Sequence, residues 1–394
     1  MQENTCKQLS VLRRMVIHSP FHTLLKHPKI LSGDALRGLS RDGFAVIDGA
    51  FGLTTAQEVS YEIKALKKSG CLHLNSTQFV GKDELIECMP KLGIWELSSE
   101  AIRSRSWQTA PRRFPNSLLE STKTLDMLLA NSPEFLNPLV EDLISPTKPA
   151  CKGREKGWQT TVKIQSSDGE GACFPIHFDT APGVDSRVIT AIYYLSDEWV
   201  AGDGGELLLL PFPYAPPPPI TPIADRLVLF SSRNMLHRVL PSRVPRQCLT
   251  FWTYVSESEG ATIEKKCKPF KPVQYPLGTS TSSLSTDTAP SSDIPLDEAV
   301  SLSLLLQPKL RPHFARLALA RDWASSIVQA HAPSQQREAA LHRHANEVAA
   351  IESSFVKFLV TSGLSGRAAD PLALAEAHFP VEDESMHPGL VSWF

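Results

Sequence analysis

Apolar positions along this chain change their period twice. Asp42 to Phe51 (DGFAVIDGAF) reads as a short strand, and Thr55-Ala-Gln-Glu58 reads as a capping box opening a helix with Val59, Ile63 and Leu66 on one face. Gly70 fits as the stop of that helix. The pattern is mixed from 71 to 115, then helical from Pro115 to Ile144, with Leu119, Leu125, Leu128 and Leu129 as the apolar face and Pro146 as the stop. From Trp158 to about Val255 the texture turns to short β-branched and aromatic runs between Gly, Pro and Asp clusters, predicting strands at 158–165, 187–195, 205–211, 225–231 and 247–254. Helical spacing returns at 296–307, 312–331 and 335–362, where Leu341, Ala345, Val348, Ile351, Phe355 and Phe358 form one stripe.

Evenly spaced short strands imply a barrel or sandwich. The prolines of Ala215 to Ile220 cannot donate ladder hydrogen bonds, so that run is an extended connection. The chain therefore reads as α+β, in four parts: an N-terminal segment, 1–40; a main unit, 41–257, with its strand-rich core at about 158–255; a basic and then Ser/Thr-rich linker, 258–294; and a helical C-terminal region, 295–394.

Composition narrows the function classes. With 40 Lys and Arg against 42 Asp and Glu, the net charge of −2 gives no field to steer the molecule towards nucleic acid or an anionic membrane. No run approaches the roughly 20 apolar residues that span a bilayer. Seven scattered cysteines without a CxxC point to a reducing compartment, the cytosol or nucleus. The first 30 residues lack the pattern of a secretory signal, while Arg13, Arg14, Lys26 and Lys29 leave room for an organellar transit peptide.

His177 and Asp179 are two residues apart, which on a strand puts both side chains on one face. Such pairs are common as caps and surface contacts. His237, which follows the strand-like DRLVLFSS, could complete a set of two imidazoles and a carboxylate, leaving three positions open on an octahedral metal. Fe(II) with a bidentate oxo-acid and O₂ uses such vacancies, whereas structural zinc needs a fourth ligand and none is apparent nearby. The plainer reading of His237 is a core histidine. Arg246 heads the run RQCLTFWTY, whose alternation puts Arg246, Cys248, Thr250 and Trp252 on one face. An inward arginine needs an anion and its fork suits a carboxylate; the alternative is a solvated strand end. Tyr194, on the face of Thr190 and Ile192, could share that carboxylate or be simply core. His18, His22, His342 and His344 read as surface residues, and Lys265, Lys266, Lys268 and Lys271 as a solvated flank of the linker.

Read in order, FPIHFDT, ITAIYYLSDEW, GGELLLL, ADRLVLFSS and LHRVLPSRVPRQCLTFW resemble the prolyl 4-hydroxylase-like branch (alpha-subunit catalytic domain) of the 2-oxoglutarate/Fe(II) dioxygenases, over about 158–255. GFAVIDGAF and the helix after it resemble the lead-in helical layer of that family. The resemblance implies a double-stranded β-helix (jelly-roll) core with supporting N-terminal helices and a helical C-terminal extension. It implies Fe(II) held by His177, Asp179 and His237, and 2-oxoglutarate bound by Arg246 with Tyr194 and Thr250. It also implies O₂ as co-substrate, with ascorbate as an accessory. The expected reaction releases succinate and CO₂ and hydroxylates an unactivated C–H, foremost a prolyl residue of a polypeptide. Another side chain, a small metabolite, or a silent scaffold whose C-terminal helices bind a partner are the alternatives. One departure stands out: where many relatives place a tyrosine ahead of the first ligand, this chain has VKIQSS, with Gln165 the nearest polar candidate.

Overall fold

In the computed structural model the described residues are 33–80, 86–98, 122–144, 159–180, 185–255, 307, 310–361 and 393–394. The expected linker over 258–294, nearly all of the helix expected at 296–307, and His18, His22 and the lysines between 265 and 271 lie outside them.

A helix α1 (Gly33–Asp42) and strand β1 (Phe44–Asp48) lead into α2 (Leu53–Lys68), the strands β2 (His73–Val80) and β3 (Ile86–Ser98), and α3 (Lys123–Ile144). The central strands are β4 (Gln159–Ser167), β5 (Ala172–His177), β6 (Arg187–Tyr194), β7 (Leu207–Leu210), β8 (Arg226–Ser231), β9 (Leu236–Ser242) and β10 (Arg246–Tyr254). Three helices close the series: α4 (Arg311–Ala318), α5 (Ala320–Ala330) and α6 (Gln335–Thr361). The strands form a seven-stranded sheet, β1-β8-β6-β10-β4-β3-β2, and a three-stranded sheet, β5-β9-β7, with every ladder antiparallel. Consecutive strands from β4 to β10 cross between the sheets, which is the jelly-roll weave.

Three apolar layers hold this together. Leu39, Val59, Leu128 and Phe135 of the N-terminal helices pack on Ile164, Leu249 and Phe251 at the outer face of the large sheet. Tyr194, Leu209, Phe230 and Val239 fill the space between the sheets. Ile176 and Leu236 of the small sheet meet Phe314, Trp323 and Phe355 of the C-terminal helices. Alternation makes this layering possible, since β10 turns Leu249 and Phe251 to one layer and Arg246, Cys248, Thr250 and Trp252 to the other side.

Several local expectations are corrected. No capping box opens α2: Thr55 is already inside the helix, where its hydroxyl bonds the Phe51 carbonyl at 3.0 Å. The Asp225 carboxylate takes the amides of Phe51 (2.8 Å) and Gly52 (2.9 Å). Glu58 instead reaches the Thr124 hydroxyl, and Glu62 accepts from the Thr124 and Leu125 amides, so α2 supplies the cap of α3. The stop at Gly70 holds as expected, with φ +74° and the paired bonds Cys71 N to Leu66 O and Gly70 N to Lys67 O. Two prolines, Pro133 and Pro138, lie inside α3, and the Ser132 hydroxyl bonds the Leu129 carbonyl that Pro133 cannot serve.

The mixed stretch after residue 71 holds the strands β2 and β3, and the expected helix over 312–331 is broken at Leu319 into α4 and α5. His344 is not a surface residue: it is buried, stacked on Trp323 and bonded to the Ala320 carbonyl at 2.9 Å.

Candidate metal centre

His177 ends β5 and His237 is the second residue of β9, and the ladder pairs them directly, with ring centroids 4.3 Å apart. Asp179 lies two residues past the end of β5, where its amide donates to the Ser232 carbonyl at 3.1 Å and its carbonyl accepts from Arg187 at 3.1 Å. Its Oδ1 is 3.7 Å from His177 Nε2 and 3.9 Å from His237 Nε2. The three ligand atoms lie within 4.8 Å of one another.

The hydrogen bonds around this trio prepare it for a cation. Each imidazole has a carbonyl at Nδ1: Pro175 O at 2.8 Å from His177 and Met235 O at 3.1 Å from His237. A carbonyl only accepts, so Nδ1 carries the proton and the Nε2 lone pairs face Asp179. The other carboxylate oxygen, Oδ2, accepts from the Thr190 hydroxyl and from Trp252 Nε1 at 3.3 Å, which leaves Oδ1 for the imidazoles. Ser232 Oγ stands 2.8 Å from Thr190 Oγ1 and extends the chain of donors. Arg187 stacks over Trp252 at 4.5 Å and bonds Asp185 and the Tyr254 hydroxyl, both at 3.0 Å, so it buttresses the same corner.

Burial pushes the His177 pKa down, and the facing His237 adds to this, so the ring is neutral near pH 7. Burial alone would raise the Asp179 carboxyl; the facing His237 and His177 and the bonds from Thr190 and Trp252 outweigh it and hold the group ionised. Two imidazole nitrogens and one ionised carboxylate oxygen fit a divalent metal in a facial arrangement.

The trio opens into a cavity of about 440 Å³ between the sheets. Arg246, Cys248, Thr250 and Trp252 all stand on its wall. Arg246 is buried, and among the described residues no carboxylate lies within ion-pairing distance of its guanidinium. Tyr194 is not on the wall: its ring lies 5.8 Å from the Arg246 guanidinium carbon, and its buried hydroxyl has no partner at hydrogen-bonding geometry. Burial pushes its pKa up while Arg246 opposes. Gln165 bridges on the neighbouring strand, accepting from Thr250 Oγ1 at 3.0 Å and Cys248 Sγ at 3.5 Å. The cavity is thus ready for a second, anionic molecule beside the metal.

These features coincide with what comparison finds. Residues 162–254 match the model of the 2OG-Fe(II) oxygenase superfamily. Over those residues the chain is similar to a 2OG-Fe(II) oxygenase domain. The domain is similar to the hypoxia-inducible factor prolyl hydroxylase of Caenorhabditis elegans, 39% identical over 105 residues, which is 26% of this chain and 14% of that protein. Human Egl nine homolog 1 is 25% identical over 251 residues, 63% of this chain and 52% of that protein. A solved prolyl 4-hydroxylase from Phytophthora capsici superposes over 91% of this chain and 97% of its own, with TM-score 0.54 and 22% identity, a likeness in fold. The family that this region matches requires Fe(II), 2-oxoglutarate and O₂, and the trio supplies donors suited to the metal.

Lys91 lines the cavity and no sequence pattern singled it out. Its ammonium is buried, 2.6 Å from Asn75 Oδ1 and 5.2 Å over the Phe174 ring. Burial lowers its pKa to about 8, against the pull of Glu96. Its neighbour Lys163 pairs with Glu96 at 3.0 Å and stands over Trp252 at 5.2 Å.

Proposed function

We propose that this chain is a 2-oxoglutarate- and O₂-dependent Fe(II) dioxygenase that hydroxylates a prolyl residue of a polypeptide. The observation that carries the reading is the convergence of His177, Asp179 and His237 in a cavity that also holds Arg246, which has no carboxylate partner among the described residues. His177 Nε2, Asp179 Oδ1 and His237 Nε2 would hold the iron. With 2-oxoglutarate and O₂, that iron supplies the oxidising power to hydroxylate an unactivated C–H while the co-substrate leaves as succinate and CO₂.

The chain's own residues orient and exclude. Arg246 would hold the distal carboxylate of 2-oxoglutarate, and the buried Tyr194 hydroxyl, behind the wall beside that guanidinium and without a partner, would turn to join it. Thr250 and Gln165 line the path between carboxylate and metal. Thr190 and Trp252 keep Asp179 from turning away. The wall of Ile192, Val239 and Phe174 keeps water from the reacting centre. Similarity to the hypoxia-inducible factor prolyl hydroxylase of Caenorhabditis elegans supports the prolyl target, and the odd, scattered cysteines support the cytosol or nucleus.

Incubation of the iron-loaded protein with 2-oxoglutarate and prolyl peptides, read by mass spectrometry, tests this. A gain of one oxygen on proline with matched succinate release is expected. Consumption of 2-oxoglutarate with every prolyl peptide unmodified contradicts the substrate, and no consumption contradicts the enzyme.

A further inference from the structure

The cavity wall carries four cationic side chains, Lys91, Lys163, Arg187 and Arg246, against one carboxylate, Asp179, which is turned to the imidazoles. Two of the cations are neutralised from behind the wall: Lys163 by Glu96 and Arg187 by Asp185, each at 3.0 Å. Among the described residues Arg246 and Lys91 have no carboxylate at pairing distance. One dicarboxylate co-substrate accounts for Arg246 and the metal. It leaves Lys91 over.

Position separates Lys91 from the co-substrate end. Its ammonium bonds Asn75 and lies 5.2 Å over the Phe174 ring of β5, whereas the Arg246 guanidinium lies 5.8 Å from the Tyr194 ring. His331 belongs to the C-terminal helical layer and bonds Thr77, 3.0 Å away, and Thr77 lines the cavity together with Pro175. Lys91 therefore stands on the side of the cavity that borders the C-terminal helical layer. One of its three protons goes to Asn75 Oδ1, whose amide group in turn bonds Glu96, so the ammonium is held in place with donors to spare.

We propose that Lys91 anchors the hydroxylated substrate through a carboxylate, selecting polypeptides with an acidic side chain beside the reacting residue. A buried ammonium whose nearest acidic neighbour, Glu96, is already bonded to Lys163 and Asn75 stays costly, and an incoming carboxylate relieves that cost while a neutral amide does so far less. This names the substrate class of the site and rests on the polypeptide reading above.

The test is a binding experiment on the full chain with Mn(II) and 2-oxoglutarate, oxygen excluded. The probes are twin peptides that differ only by Glu or Gln beside a central proline, with a second set in which the proline is alanine. Wild type should retain the Glu twin about tenfold over the Gln twin, the size of one charge-assisted hydrogen bond. Lys91→Met should abolish the preference, Lys91→Arg keep it, and Lys91→Glu turn it towards a Lys twin. Equal retention of both twins by wild type, nil included, overturns the proposal. So does a preference that survives Lys91→Met, or a loss of 2-oxoglutarate affinity in Lys91→Met, which assigns the ammonium to the co-substrate. A Glu preference indifferent to the proline keeps the anchor while sinking the prolyl reading, and prolyl hydroxylation without a Glu preference does the reverse.

Discussion

His177 and His237 face each other across the β5–β9 ladder, each with its Nδ1 proton committed to the carbonyl two residues before it. The repeated arrangement fixes the tautomer of both rings, so the lone pairs converge without any cost of reorienting when a cation arrives. Replacing either ring by alanine, or Asp179 by alanine, should abolish tight divalent binding. Retention of Mn(II) at micromolar concentration by equilibrium dialysis separates intact from broken sites.

The donors behind Asp179 matter nearly as much. Thr190→Val and Trp252→Phe each free Oδ2 from one bond and let the carboxylate swing. Each should weaken metal affinity by about 10- to 100-fold with little change in the fold. Titration calorimetry with Mn(II) measures it, and an unchanged Kd would show that the loop after β5 alone holds Asp179.

Arg246→Ala should weaken 2-oxoglutarate binding by about 10- to 100-fold, the equivalent of a charge-assisted hydrogen bond worth about 1.5 to 3 kcal/mol. Metal affinity should stay as in wild type. The KM for 2-oxoglutarate gives the comparison, and an unmoved KM would pass the role to another cation.

Lys91 makes a prediction opposite in sign to that of most buried residues. Its pKa is lowered from 10.5 to about 8, so above pH 8 the unfolded chain binds a proton that the fold gives up. The buried charge thus costs stability at neutral pH, and this cost shrinks as pH rises towards 10.5. Lys91→Met should stabilise the metal-free protein by about 1 to 3 kcal/mol at pH 7, and by less at pH 9.5. Urea unfolding at the two pH values tests both parts. A variant less stable than wild type at pH 7 would contradict the account of this side chain.

His177 sets the acid limb. Its pKa is depressed from 6.5, so below that pH the unfolded chain takes up a proton the folded one refuses. Stability is therefore present above pH 6.5 and falls as the medium is acidified. The thermal midpoint of wild type should fall relative to that of His177→Phe between pH 7 and 5, and parallel curves would contradict this.

Much of this was legible in the sequence because local signals agreed with tertiary roles. The apolar runs of β8 and β10 are strands in the structure, and the face Arg246, Cys248, Thr250 and Trp252 is the cavity wall. β2 and β3 were not legible: Pro90 and Gly93 interrupt β3, and its strand form depends on pairing with β4, far along the chain. β9 hid behind Arg238 and Pro241 for a similar reason. Lys91 could not be found from spacing at all, since a lysine between Pro90 and Leu92 looks solvated until the strand's inward face is known. The cap of α2 comes from Asp225, 173 positions from Gly52, and so the nearby Thr and Glu misled.

The claim on which the rest depends is one ferrous ion on three residues with room left for an oxo-acid. Anaerobic calorimetry, Fe(II) first and 2-oxoglutarate second, measures it directly. The account predicts one Fe(II) per chain, 2-oxoglutarate affinity that depends on that ion, and loss of both steps in His237→Ala. Undiminished Fe(II) binding by His237→Ala, or Fe(II) binding that leaves no place for 2-oxoglutarate, would contradict it.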